Sequence, residues 1–250
     1  MSREELNQPK KYYTIVQGTF RTQVPQEHPE AVRRDWKSAD GKSSGTKYER
    51  VIRALYGYIT DVSFADSEYG KQVYIKLDKL SDGEEPTIAL NVASREAEDF
   101  LKKLPNIDFA KEVQLRPFNF TGDENDEVRG MSVMQPDEWA EFKKKITNYF
   151  YDIPVDAPKG TRGKNVNGFP IPSGDTDSFD KDDWKIYFLT CRKFLTDYTE
   201  KHIRPKLAAA VPNLVPAAAK KYENADPDAI DAAFDAAVSD LGLGEMPSKP

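Results

Sequence analysis

Thiol and imidazole chemistry has little material in this chain. Its 250 residues include one cysteine, Cys191, and two histidines, His28 and His202. A lone cysteine excludes an internal disulfide framework, and with two histidines it excludes a Cys/His metal cluster. No stretch approaches the roughly 20 consecutive apolar residues that a membrane-spanning helix needs. The opening run MSREELNQPKK has no apolar core, so it does not read as a signal peptide. Walker A and dinucleotide-binding glycine patterns are both missing. These absences lead to the expectation of a soluble, cytoplasmic protein with no cofactor and no membrane partner. Apolar residues make up 38% and charged residues 31%. That is lean for one compact globule and predicts an ordered core with polar extensions.

The charge is uneven. Residues 1–122 hold 19 Lys/Arg and 19 Asp/Glu, so the second half carries the whole net charge of −6. Within 10–53, ten basic groups face five acidic ones, whereas 226–245 hold six acidic groups and no basic one. A basic N-terminal stretch suggests a polyanion partner, and an acidic end suggests a protein partner or self-screening.

Residues 1–11 read as a flexible N-terminus. YYTIVQGTF, 12–20, reads as a strand, and 21–47 read as irregular, with a Gly/Ser/Lys-rich loop at 38–47. YERVIRALYGYITDVSF, 48–64, reads as one long strand whose Gly57 marks a bend of the kind a strand shared by two sides of a small barrel requires. KQVYIKLDK, 71–79, and TIALNVA, 87–93, follow as strands. SREAEDFLKKL, 94–104, then switches period. Ser94 is placed to cap it, Ala97, Phe100, Leu101 and Leu104 share a face, and Pro105 ends it. Strands at 111–120 and 128–135 complete the order strand, strand, strand, helix, strand, strand. That order predicts a mainly β, α+β protein built on a five-stranded OB-fold Greek-key barrel with the helix between strands 3 and 4, plus a C-terminal helical extension. The expected plan is an OB domain at 12–150, a linker or long loop at 151–182, an amphipathic helix at 183–205 and an Ala-rich acidic tail at 206–250. Trp139, Phe142, Ile146 and Phe150 are spaced like one further helix face. Trp184, Phe188, Cys191, Leu195 and Tyr198 form the stripe of the strongest helix.

No residue set points to catalysis. Cys191 falls on an apolar stripe, where a thiol is structural rather than nucleophilic. His28 lies in a Pro-rich loop and His202 near a helix end, neither with a triad partner. DTDSFDKDD, 175–183, lacks the glycine and closing glutamate of a calcium loop and reads as an acidic helix start. A metal-dependent nuclease has no supporting carboxylate spacing.

Binding residues are better represented. Val73, Ile75 and Leu77 alternate with Tyr74 and Lys76, so if the first set is buried the second faces out. By the same alternation Val113 and Leu115 leave Arg116 and Phe118 on the opposite side. Tyr56 and Tyr58 share a strand face, Phe64 and Tyr69 are placed in the loop that follows, and Arg129 opens the last strand. Flat rings stack on unpaired bases and cations line a phosphate path. The candidate nucleic-acid-binding set is Arg33, Arg34, Trp36, Lys47, Arg50, Arg53, Tyr56, Tyr58, Tyr69, Lys71, Tyr74, Lys76, Arg116, Phe118 and Arg129, with the basic 33–53 segment as a wall or flap. Outward Tyr and Lys also serve simply as strand formers and solubilisers.

GYITDVSFADSEYGKQVYIKLD, then LNVASREAEDFLKKLPNIDFAKEVQLRPFNF, then VRGMSVMQ, resemble the OB-fold single-stranded DNA-binding proteins of bacteriophages and related mobile elements. The resemblance covers 48–135 best. It implies a non-enzymatic, sequence-independent protein that binds and protects single-stranded DNA in phage replication or recombination, in the host cytoplasm. It also implies homo-oligomeric or cooperative states, and recruitment of replication or recombination proteins by an acidic C-terminus. This chain ends GLGEMPSKP, without the acidic run closing in an aromatic that many such proteins carry. The competing reading is a non-catalytic protein-interaction or virion-structural OB-like module.

Overall fold

A computed structural model describes residues 11–38, 41–78, 85–122, 127–137, 144–153 and 163–210. The protein is mainly β with added helices. Its largest feature is a seven-stranded sheet, in the order β3 (Val32–Lys37), β4 (Ser44–Ile52), β2 (Thr19–Gln23), β1 (Lys11–Val16), β8 (Pro86–Asn91), β7 (Gly70–Leu77) and β6 (Ile59–Ser67). A four-stranded sheet orders β11 (Lys144–Lys145), β10 (Glu127–Gln135), β9 (Val113–Thr121) and β5 (Leu55–Gly57). A small ribbon joins β12 (Tyr151–Asp152) to β13 (Lys164–Asn165).

The 48–64 run is three strands, β4, β5 and β6, rather than one long strand, and the expected bend at Gly57 is present. β5 pairs with β9 in one sheet and β6 pairs with β7 in the other, so the 55–67 segment passes from sheet to sheet at Gly57. Gly57 has φ +145°, and a Cβ there would stand 2.6 Å from Asp78 Oδ1, which accepts the Tyr58 N–H at 2.8 Å. Only glycine accepts both constraints cheaply.

Several expectations are corrected. The 12–20 run is a hairpin, because Gln17 and Gly18 at φ 51° and 70° form a tight turn with two positive φ angles. The 21–47 stretch is largely β: β3 and β4 pair from Val32↔Glu49 to Lys37↔Ser44. Phe64 lies inside β6 opposite Val73, not in a loop. The barrel is not closed: among the described residues β8 pairs with β1, in parallel, and β10 pairs with β9 and β11. Period-two alternation has no means of announcing such a parallel partner about 75 residues upstream. The helix expected from Trp139 to Phe150 is overturned over its described part. Lys144–Lys145 pair antiparallel with the end of β10 as β11, and the Ile146 N–H donates to Val133 O. Trp139 and Phe142 lie outside the described residues.

The helix at 94–104 is present as α1 (Arg95–Lys103). Ser94 Oγ accepts the Ala97 N–H, and Ala97, Phe100, Leu101 and Leu104 are all buried. α2 (Lys181–Tyr198) opens with a reciprocal cap between Asp180 and Asp183. A π turn, Thr199–Ile203, leads into α3 (Arg204–Ala210). Cys191, Leu195, Ile203 and Leu207 join the same buried cluster as Val62, Ile75 and Leu115, together with Phe150 and Phe169. The helical extension therefore packs on the β core. No described helix is long and apolar enough to cross a membrane.

Candidate nucleic-acid interface

Directly opposed residues of paired strands share a face. This rule, applied across the seven-stranded sheet, sorts the candidate residues. On one side Tyr13, Phe20, Val73, Ile75 and Ile88 are fully buried. On the other side Tyr12 lies opposite Thr87, Thr87 opposite Lys76, and Lys76 opposite Asp61, one row over four strands. Tyr74 lies between Ala89 and Ser63 on its two neighbours, both small, so its half-buried ring is not overtopped. Farther along the same side, Arg34 lies opposite Lys47 and Trp36 opposite Gly45. The sheet thus gathers Trp36, Lys47, Arg34, Tyr74 and Lys76 on one face, although they come from strands at opposite ends of the sheet order. Tyr12, half exposed on this face, is an addition that the sequence reading missed. Its signal was present, since Tyr13 points in and its neighbour must point out.

Trp36 is held by a specific device. A Cβ on Gly45 would stand 3.0 Å from Trp36 Nε1, so the indole covers the bare backbone across the ladder. Lys47 Nζ lies 5.2 Å from the ring centroid. Phe118 repeats the arrangement in the four-stranded sheet, where it lies opposite Gly130 and its ring would collide with any Cβ there. Rings over cross-strand glycines stabilise a sheet whatever else they do.

The cations are mostly engaged. Arg34 forms a two-pronged pair with Glu49 at 2.6 and 2.7 Å, and Arg21 reaches the same carboxylate at 3.4 Å. The Arg34 hydrogen bond holds the Glu49 carboxyl below the usual glutamate range, against the opposing effect of burial. Lys76 pairs with Asp61 at 3.3 Å, and Arg204 approaches the other oxygen of Asp61 at 4.0 Å. Arg129 pairs with Glu127 at 3.4 Å. The Lys76 and Arg129 pairs are partly exposed and contribute less than about 1 kcal/mol each, so a phosphate exchanges with those carboxylates at little cost, whereas Glu49 is buried and holds Arg34 in place.

Other candidates lie elsewhere. Arg33 bonds Asp35, and Arg50 pairs with Glu30 at 2.5 Å, both on the opposite side of β3 and β4 from Arg34. Arg53 is exposed just beyond the end of β4. Lys71 shares the side of Phe64, lying 5.7 Å from its ring, not that of Lys76. Tyr69, 76% exposed, tips the β6–β7 turn. In the smaller sheet Tyr56, Arg116 and Phe118 share a face, and Arg129 takes the other by alternation. Tyr56 is tied to Gln114, whose Nε2 donates to its hydroxyl at 2.7 Å. Burial, then the Glu112 and Asp78 carboxylates, push the Tyr58 phenol up, so the bend between the sheets is locally anionic.

The thiol and the acidic run have structural settings. Cys191 is buried and its thiol is raised, chiefly by desolvation. Asp175 caps a short turn and Asp180 caps α2, which accounts for the acidic run as helix-start chemistry. No group of three potential metal ligands occurs among the described residues. Comparison of the chain with protein-family models, with curated proteins and with solved structures returned no match.

Proposed function

We propose that this protein binds single-stranded DNA without sequence preference and without catalysis, on the outer face of the seven-stranded sheet. The observation that carries this reading is the convergence of Trp36, Lys47, Tyr12, Tyr74 and Lys76 on one sheet face. Rings supply stacking surfaces of roughly 1–3 kcal/mol per base, and the neighbouring cations neutralise phosphates. Arg116 and Phe118 lie on the smaller sheet, on the face turned away from the core residues Leu115 and Val133. The bent strand shared by two sheets and the helix between the third and fourth core strands support an OB-type derivation, with the β1–β2 hairpin on β8 as an addition. The role that follows is coating of single strands during replication or recombination, the phage-type setting implied by the sequence resemblance.

The test is anisotropy of labelled oligo(dT) against a duplex of equal length across a salt series. Tighter binding of the single strand, weakening with salt, supports the proposal, and no binding at low salt rejects it. A folded Tyr74→Ala/Phe118→Ala variant with unchanged affinity removes the stacking platform.

The ion pairing of Arg34, Arg50 and Lys76 favours a second reading, a protein-interaction or virion-structural module whose aromatic face meets another protein. A stable assembly in sedimentation, indifferent to oligonucleotides at all salt concentrations, is its signature.

A further inference from the structure

The first half of α2 presents an apolar face that the described domain does not cover. Ile186, Phe188 and Leu189 are 63%, 42% and 52% exposed. Trp184 stacks on Phe188 at 5.8 Å, and Phe179 meets Trp184 edge-on at 5.2 Å. Beside these rings runs a groove of about 350 Å³ lined by Lys181, Trp184, Lys185, Phe188 and Arg192. It has a ring floor and a rim of three cations, with no carboxylate in its lining. Such a groove suits an amphipathic helix whose apolar stripe is flanked by acids.

The chain carries one such segment. In 226–242, Asp226 stands at a capping position, Pro227 at a first helical position and Gly242 at a stop. Ile230, Phe234, Val238 and Leu241 recur at helical spacing. On a helical projection Asp228, Asp231 and Asp235 fall on one shoulder of that stripe, and Asp226 and Asp240 on the other. Reach permits contact within one chain. Phe188 lies on the order of 30 Å along the helix axis from Ala210, and residues 211–225, extended, span up to about 50 Å.

We infer that residues 226–241 dock as an acidic amphipathic helix in the α2 groove of their own chain, with Phe234 against Trp184 and Phe188 and the aspartates on Lys181, Lys185 and Arg192. The inference is independent of nucleic-acid binding, since every residue lining the groove lies on α2 and none on the sheet.

The test is carbodiimide cross-linking of the full chain, without nucleic acid, in an equal mixture of unlabelled and 15N-labelled protein. The expected result is cross-linked peptides joining Lys181 or Lys185 to Asp228, Asp231 or Asp235, with unmixed isotopes. Phe234→Asp should reduce their yield about tenfold and speed hydrogen exchange of the 226–241 amides by a similar factor. A Lys181→Glu/Lys185→Glu variant should speed the same exchange, and adding Asp231→Lys/Asp235→Lys should restore protection. Isotopically mixed cross-links assign the groove to a second copy and overturn the intrachain assignment. Unprotected 226–241 amides in the unaltered chain overturn docking altogether.

Discussion

Single residues decide how much of the basic N-terminal stretch is available to a partner. Glu49 is 6% exposed and gathers Arg34 and Arg21, joining β2, β3 and β4 through one carboxylate. The sequence shows ten basic groups in 10–53, but charge counting cannot show that two are committed to the same acid. The commitment has a pH signature. Because the folded-state pKa of Glu49 lies below the unfolded value of about 4.3, the ionised carboxylate stabilises the fold above that value. The contribution is lost as pH falls through the lower, folded pKa. Urea midpoints between pH 7 and pH 3 should therefore drop more steeply for the unaltered chain than for Glu49→Gln. Glu49→Gln should also be the less stable protein at pH 7, since it leaves half-buried Arg34 without its carboxylate. Parallel curves would show that the pair contributes nothing to folding.

At the scale of elements, the C-terminal helical region separates what a stripe predicts from what a helix buries. The sequence stripe was Trp184, Phe188, Cys191, Leu195 and Tyr198. The buried line is instead Cys191, Leu195, Thr199, Ile203 and Leu207, a spacing of four throughout. In an unbroken α-helix each four-residue step drifts about 40°, about 160° over the line. The π turn at Thr199–Ile203 takes up the extra residue and keeps the line on one face. Leu195→Ala and Ile203→Ala should each cost roughly 2–5 kcal/mol. Ile186→Ser, 63% exposed on the same helix and outside the groove lining, should stay within about 1 kcal/mol of the unaltered chain in urea unfolding. Equal losses would mean that the exposed half of α2 belongs to the core. The same contrast explains what could be read in advance. Local signals sufficed for α1, for the Gly57 bend and for the inward Val73, Ile75 and Leu77, because each depends on neighbours in sequence. The parallel β1–β8 pairing, the β3–β4 hairpin under a Gly/Ser/Lys-rich stretch and the gathering of Trp36 with Tyr74 depend on distant partners. They have no periodic trace in the chain.

For the whole molecule, the net charge of −6 opposes the approach of a polyanion, yet the proposed face is cationic and aromatic. Binding under these conditions has to come from local contacts, with little help from long-range attraction. If four or five phosphates are engaged by groups such as Lys47 and Lys76, the logarithm of affinity should fall with the logarithm of salt at a slope of roughly −3. Removing acidic charge that is not among the proposed contacts should act differently. Asp231→Asn/Asp235→Asn/Asp240→Asn leaves those contacts intact and lowers the long-range repulsion, so stopped-flow association with oligo(dT) should accelerate at low salt. The acceleration should fade as ionic strength shortens the screening length toward about 3 Å near 1 M. Dissociation rates should stay the same at every salt concentration, because no contact to the strand has changed. A change confined to dissociation would place the acidic segment in the binding face itself, against its docking on α2.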